Sequence, residues 1–328
     1  TKTPTNTTTT TQTNTHTPTP TPTNTPTITP TPTNTPTNTP TPTPTPTPLP
    51  SWSGSVTDDS GAAVGGMPVE HWPEIHLAML LVYLVLSRWM ARGGDEPWVP
   101  RVRAGAVIAL MFSLYSKLGH AVFVAIPWSG DAALNAIDQW LFGGVPPALL
   151  AEAFVTRGRV EFFSFCYAFF IPYLYLSILT GLVGRPDAER QRFVTGFALL
   201  YAISFLGYLF VPARGPIVYN ALEFAAPLAG GAFHGLVVQV IDAAGGPHGA
   251  FPSLHVGASA YACLFDLRYN RLRGLTYLPL VGLIAMATVL LRYHYVIDLL
   301  AGLLLALLAA VLSHRWMARW EKEKAEAA

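Results

Sequence analysis

The stretch LTYLPLVGLIAMATVLLRYHYVIDLLAGLLLALLAAVLSH (275–314) holds two apolar runs, 275–291 and 295–314, parted by little more than Arg292, Tyr293 and His294. Each approaches the roughly 20 residues that a bilayer's hydrocarbon core asks of a helix, and the break between them reads as a turn at one membrane face. Toward the N-terminus similar runs recur at about 75–90, 104–126, 162–184, 193–212 and 252–267, which makes seven expected helices. The expected fold is therefore all-α, a polytopic transmembrane bundle. The run from Pro252 is the shortest, rising about 24 Å at 1.5 Å per residue, so its start is expected to sit below the membrane surface.

Composition points the same way. Of 328 residues 51% are hydrophobic and 12% charged, against roughly a quarter charged in a soluble domain. Mean hydropathy is +0.36, although the first fifty residues are nearly all Thr, Pro and Asn. A net charge of +1 with no Lys/Arg block provides no field to collect nucleic acid. Cys166 and Cys263 lie inside apolar runs, so neither a disulfide framework nor a Cys-rich metal site is expected. Residues 1–70 contain TPTNTPT-like repeats with little to bury, and read as a disordered extracytoplasmic stalk before a membrane domain over 71–328. Because the chain begins at Thr1 rather than Met, an upstream signal peptide or further span is expected to be missing.

Fourteen of the 20 Lys and Arg residues fall on one side of this layout, in the loops at 88–103, 185–192 and 268–273 and in the tail at 315–324. By the positive-inside rule that side, with the C-terminus, is cytoplasmic, and the stalk is outside. Two outer segments, 131–142 and 232–243, have amphipathic patterns; in the first, Leu134, Ile137 and Leu141 share a face. Both are expected to lie along the outer surface or to cap the bundle.

The unusual residues gather at the outer ends of the last three spans. In GPHGAFPSLHVGAS (246–259), Pro252 suits the first position of a helix. His255 then stands in the first turn, where free backbone N–H groups and the Ser253 hydroxyl can hold a phosphate oxygen without a metal. In LLRYHYVIDLLAG (290–302), His294 and Asp298 are four apart on one helical face, so the carboxylate can fix one ring nitrogen and free the other. One span runs inward and one outward between these motifs, which returns both to the same face. Together His255, His294 and Asp298 offer a nucleophile, its orienter and an acid/base for in-line phosphoryl transfer. Positive charge for the phosphate can come from Arg214 in VPARGPIVY, from Arg292, or from Lys117 with His120 one turn on.

FPSLHV with RYHYVIDLLAG resembles the type 2 phosphatidic acid phosphatase superfamily, and within it the inositol phosphorylceramide synthase-like branch. The resemblance covers roughly residues 105–312 and implies a six-helix phosphatase-like core. Pro252, Ser253 and His255 match its Pro-Ser-Gly-His motif, with Leu254 replacing the glycine, and His294 and Asp298 match its HxxxD. It implies a phosphohistidine on His294, His255 as general acid, Asp298 as orienter, and no metal or other cofactor. The phosphatase branch carries an arginine six residues before the later histidine, where this chain has Thr288. Its Lys-x6-Arg-Pro motif is echoed by Arg185-Pro186 without the lysine, Ile178 standing in that place, and on the charge-rich side.

The expected activity is a membrane phosphotransferase or phosphatase working on lipid-linked phosphate esters at the outer leaflet of the cell membrane, with a lipid or water as acceptor. Those departures favour transfer of an inositol-phosphate head group to a ceramide-like or diacylglycerol acceptor. The alternative is hydrolysis of phosphatidic acid or a polyprenyl diphosphate. Three other classes compete. A transporter with a His/Asp proton relay would show repeated halves, and no duplication is visible; a zinc hydrolase using His255, His294 and Asp298 would be sensitive to chelators; a mere anchor for the stalk would need one span.

Overall fold

The computed structural model describes residues 98–126 and 128–327, together with Leu81 and Arg88. The stalk at 1–70 lies outside the described residues, as does all of the first apolar run except those two. The described residues form helices joined by turns and loops, with no strand among them.

The long helices are α1 (Val99–Ala125), α4 (Arg157–Ala168) running on into α5 (Phe170–Leu182), α6 (Asp187–Phe210), α9 (Leu254–Tyr269), α10 (Arg271–Leu290) and α11 (Val296–Ala327). Shorter ones fill the connections: α2 (Asp131–Leu141), α3 (Pro147–Leu150), α7 (Pro216–Tyr219) and α8 (Ala232–Ala243). Four stretches, Arg157–Leu182, Asp187–Phe210, Arg271–Leu290 and Val296–Glu326, are long and apolar enough to cross a membrane. Helix α9 has only 16 residues, and its burial explains how so short a segment is kept.

Helix starts follow from capping chemistry. The Thr156 hydroxyl accepts from the Arg159 N–H at the start of α4, and Asn270 accepts from Arg273 N–H at the start of α10. Ser253 does the same for α9, accepting from Val256 N–H at 3.4 Å. The expectation that Pro252 opens that helix is corrected: it lies one residue before the cap, behind a cis peptide bond to Phe251. A Ser that can accept a bond outcompetes a Pro whose only merit at N1 is a missing donor. His255 remains in the first turn.

Helix α9 forms the centre, with Ala258, Tyr261 and Ala262 among eleven buried residues. It packs against α6, α10 and α11. Its crossing with α11 is made by glycines: a methyl on Gly302 would run into the Ser253 carbonyl, and one on Gly257 would meet Gly302 O at 3.2 Å. Tyr261 seals the other side, its phenol donating to Phe193 O at 3.0 Å above Gly196.

The far end of α9 gathers charge. Asp266 is buried between Arg185 at 2.5 Å and Arg273 at 2.7 Å, with Glu189 also on Arg185 at 3.0 Å and an Arg192–Glu321 pair nearby on α6 and α11. Arg185 thus serves a structural network eleven residues along α9 from His255, roughly 16 Å at helical rise.

Helix α2 reverses its expected polarity. Leu134 is buried, but Ile137 and Leu141 are 40% and 42% exposed, and Asp131, Asn135 and Asp138 face inward in their place. The reason is that α2 covers the starts of α7 and α11, whose free backbone donors need acceptors more than the interior needs another isoleucine.

Replacing Gly302 with Val should force α9 from α11, costing about 1–3 kcal/mol, whereas Gly282→Ala on α10, where a methyl meets nothing within 4 Å, should be neutral or slightly stabilising. Thermal unfolding of the purified protein in detergent checks this pair; equal melting temperatures would refute the tight crossing.

Candidate active site

The turn from α10 into α11 is where the sequence places chemistry. Helix α10 ends as Tyr293 N–H and His294 N–H both donate to Thr288 O, at 2.9 and 3.2 Å, with Arg292 in the left-handed region at φ 67°. Thr288 is fully buried and its hydroxyl donates to Ala285 O at 2.7 Å, so the position of the missing arginine is a helix terminus rather than a cavity wall. Helix α11 then starts without a Ser, Thr, Asn or Asp just ahead of it.

His294 is 4% exposed and Asp298 fully buried. His294 Nδ1 lies 2.9 Å from Ala250 O and 3.4 Å from Asp298 Oδ2, while Oδ2 also accepts the Tyr295 N–H at 2.9 Å. Two acceptors at Nδ1 assign the proton there, which leaves Nε2 with its lone pair. That Nε2 is 3.3 Å from Nδ1 of His255, so in the neutral pair His255 donates and its own Nε2 is unprotonated. The Ser253 N–H donates to Asp298 O at 3.1 Å and ties the two motifs together. His255 is clasped by Tyr167 and Phe170, both with ring centroids at 4.6 Å, and Tyr293 stands 5.1 Å beyond Tyr167.

Both histidines open on a cavity of about 470 Å³. Its walls are mostly apolar: Ile171 of α5 and Leu236, Val237, Val240 and Ile241 of α8, with Tyr115, Tyr167, Tyr293, His248 and Arg214 supplying polarity. Helix α8 is held over it from α4, where the Glu161 carboxylate accepts from Gly231, Phe233 and His234 N–H at 2.6, 2.8 and 3.2 Å. Among the described residues no group of three His, Cys, Asp or Glu side chains is arranged to hold a metal ion.

The cationic candidates separate. Arg214 lines the cavity, its guanidinium resting over Phe123 at 4.7 Å with no carboxylate paired to it among the described residues. Arg292 does not line the cavity. It is bound to Glu152 at 2.9 Å and Ala226 O at 3.0 Å, over the Phe224 ring at 3.8 Å, which sets it apart from the cavity that Arg214 lines. Lys117 and His120 belong to α1, but their side chains lie outside the described residues. Ser253 is buried as the helix cap, with its O–H still able to donate.

A family profile described as the PAP2 superfamily matches residues 132–312, more than half of the chain. The chain belongs to the PAP2 superfamily. The match spans α2 through most of α11 and includes both histidine motifs and Arg214. A Dictyostelium discoideum protein described as a PA-phosphatase related-family protein is 36% identical over 121 residues, 36% of this chain and 22% of that protein. This PAP2-superfamily chain is thus aligned with less than a quarter of the length of the curated relative it matches. No solved structure matches it.

Sequence reasoning missed Asp131, Asp138 and Tyr295. Asp131 accepts from Arg214 N–H, Gly215 N–H and the Tyr295 hydroxyl; Asp138 accepts from Val296 and Ile297 N–H. The Tyr295 phenol is buried and donates to Asp131 Oδ1 at 3.0 Å. Burial raises the Asp138 carboxyl, and its two backbone bonds pull it back. The available signal was two acids seven apart in a segment with no basic residue.

Arg185→Met should destabilise the bundle by roughly 3 kcal/mol or less, because Arg273 still pairs with Asp266, and should leave KM for a lipid phosphate unchanged. Arg214→Met should raise KM about tenfold or more with little effect on melting temperature. Steady-state kinetics beside thermal unfolding separate the two; the reverse pattern would exchange their roles.

Proposed function

We propose that this PAP2-superfamily protein transfers a phosphate-bearing head group between membrane lipids through a covalent phosphohistidine, with an inositol-phosphate ester as donor and a ceramide-like or diacylglycerol hydroxyl as acceptor. The observation that carries it is the pairing of the freed His294 Nε2 with His255 Nδ1 at 3.3 Å at the foot of a cavity that Arg214 also lines.

In the first half-reaction His294 Nε2 attacks phosphorus as the bond to the leaving alkoxide breaks, and His255, which enters this step as the imidazolium, gives that oxygen a proton and becomes neutral. Asp298 and Ala250 O hold the His294 ring and stabilise its positive charge. Arg214, the Ser253 hydroxyl and free N–H groups of the first turn of α9 balance the charge on the phosphoryl oxygens. In the second half, His255 takes the proton of the acceptor hydroxyl as its oxygen attacks phosphorus and the P–N bond breaks. That proton restores the His255 imidazolium and the broken P–N bond frees His294, so the two half-reactions together return the enzyme to its starting state.

Transfer rather than hydrolysis is supported by the apolar walls on α5 and α8, which admit a lipid more readily than water. The likeness to a Dictyostelium PA-phosphatase related-family protein favours the second reading, a lipid phosphate phosphatase with water as acceptor. The gathering of Arg185, Arg192 and Arg273 around the end of α9 opposite His255 supports placing the histidines on the extracytoplasmic side, with the C-terminus cytoplasmic.

His294→Ala should abolish turnover and any acid-labile phosphoenzyme, and Asp298→Asn should slow turnover by about 10²–10⁴-fold in a folded protein. His255→Ala should be most severe for donors with poor leaving groups. Labelled phosphomonoesters and phosphodiesters, incubated with and without acceptor lipids and resolved by mass, should yield an acceptor-linked phosphodiester. Free phosphate or free head-group phosphate alone would select hydrolysis, and full activity in both histidine variants would refute the triad.

A further inference from the structure

At the N-terminus of helix α11 its own Asp298 accepts only the Tyr295 N–H, and the next N–H groups need an acceptor from elsewhere. The residues before it are Tyr293, His294 and Tyr295, none of which supplies the short side-chain acceptor that the first N–H groups of a helix require. The acceptor comes from another helix: Asp138 Oδ2 takes the Val296 N–H at 2.7 Å and Oδ1 the Ile297 N–H at 2.9 Å. His294 lies two residues before this contact and Asp298 one residue after it.

Two turns earlier on the same face of α2, Asp131 makes the matching connection. Its carboxylate takes Gly215 N–H at 2.8 Å and Arg214 N–H at 3.0 Å from the loop before α7, the Tyr295 hydroxyl at 3.0 Å, and the Ser129 hydroxyl at 2.5 Å. Both aspartates are almost wholly buried, at 4% and 1% exposure. All the partners they make are backbone N–H or hydroxyl donors. A carboxylate offers about four acceptor sites and no donor, whereas an amide would turn an NH2 group against a backbone N–H.

We propose that α2 is a two-point brace of the active site, in which Asp131 positions the Arg214 loop and Asp138 positions the His294–Asp298 turn. This rests on the roles proposed above for Arg214, His294 and Asp298. The seven-position step from Asp131 to Asp138 spans about 10 Å of rigid helix, so the phosphate-holding loop and the nucleophile keep a fixed separation although about 80 residues divide them in sequence. Displacement of a reacting group by about 1 Å can cost a hundredfold in rate, and neither aspartate touches the reacting atoms.

The two arms predict different kinetics. In the full chain in lipid nanodiscs, Asp138→Asn should lower kcat about 10–100-fold with KM within about threefold of wild type. Asp131→Asn and Tyr295→Phe should raise KM about tenfold and weaken inhibition by orthovanadate equally, with kcat within about threefold. The Asp131→Asn, Tyr295→Phe double variant should be little worse than Asp131→Asn alone, because both act through one contact. Should Asp138→Asn not fold, Asp138→Glu replaces it with the same expectation, and Tyr295→Phe tests the other arm by removing a single oxygen. Parallel changes in kcat and KM that track melting temperature in every variant, or wild-type kinetics in all of them, overturn the brace. His294→Ala is measured alongside: if it still turns over, the phosphohistidine reading fails; if it is dead while Asp138→Asn is wild type, only the brace fails.

Discussion

Helices α9 and α11 can meet as closely as they do because Gly257 and Gly302 present no side chains to each other, and the Ser253 N–H then reaches the Asp298 carbonyl. The geometry of the site descends from that crossing. It sets His255, in the first turn of one helix, beside His294, at the threshold of the other, without any loop to span the gap. In a bilayer, where apolar burial gives helices little reason to choose each other over lipid, close packing of small residues and backbone hydrogen bonds are what select a partner. The two histidine motifs are held by a close backbone contact between helices rather than by a flexible segment.

The apolar runs and the two histidine motifs were readable from the chain because they obey local rules. A run of near bilayer length, an HxxxD spacing and a Ser two residues before a His each state their meaning within a few residues. The return of both motifs to one end of the bundle also followed from counting spans between them. Arg214 emerged from the same reasoning, since a Pro-Ala-Arg-Gly-Pro break cannot continue a helix and must expose its backbone and side chain somewhere.

What escaped the sequence depends on partners far away in it. Arg292 adjoins His294 in the chain and yet spends its guanidinium on Glu152, 140 residues earlier. Leu134, Ile137 and Leu141 look like the inner face of a helix by periodicity; only the donors waiting at the starts of α7 and α11 reveal why two aspartates took that face instead. Pro252 suits a helix start by local preference, but Ser253 caps the helix better. In each case a hydrogen-bond or ion-pair demand from elsewhere outweighed a local propensity, and such demands leave little trace in spacing.

The mutual contact of the two imidazoles also shapes what the resting site will tolerate. With its lone pair already engaged by a neighbouring N–H, the nitrogen proposed to attack is sheathed. Unsheathing it means parting the rings, which leaves one bare donor and one bare acceptor in an oily recess. A tetrahedral anion answers both at once, its oxygens taking up the donor while its phosphorus faces the acceptor. On the phosphohistidine reading proposed above, selection for a ligand that carries an acceptor oxygen beside its electrophilic centre begins with this contact between the rings.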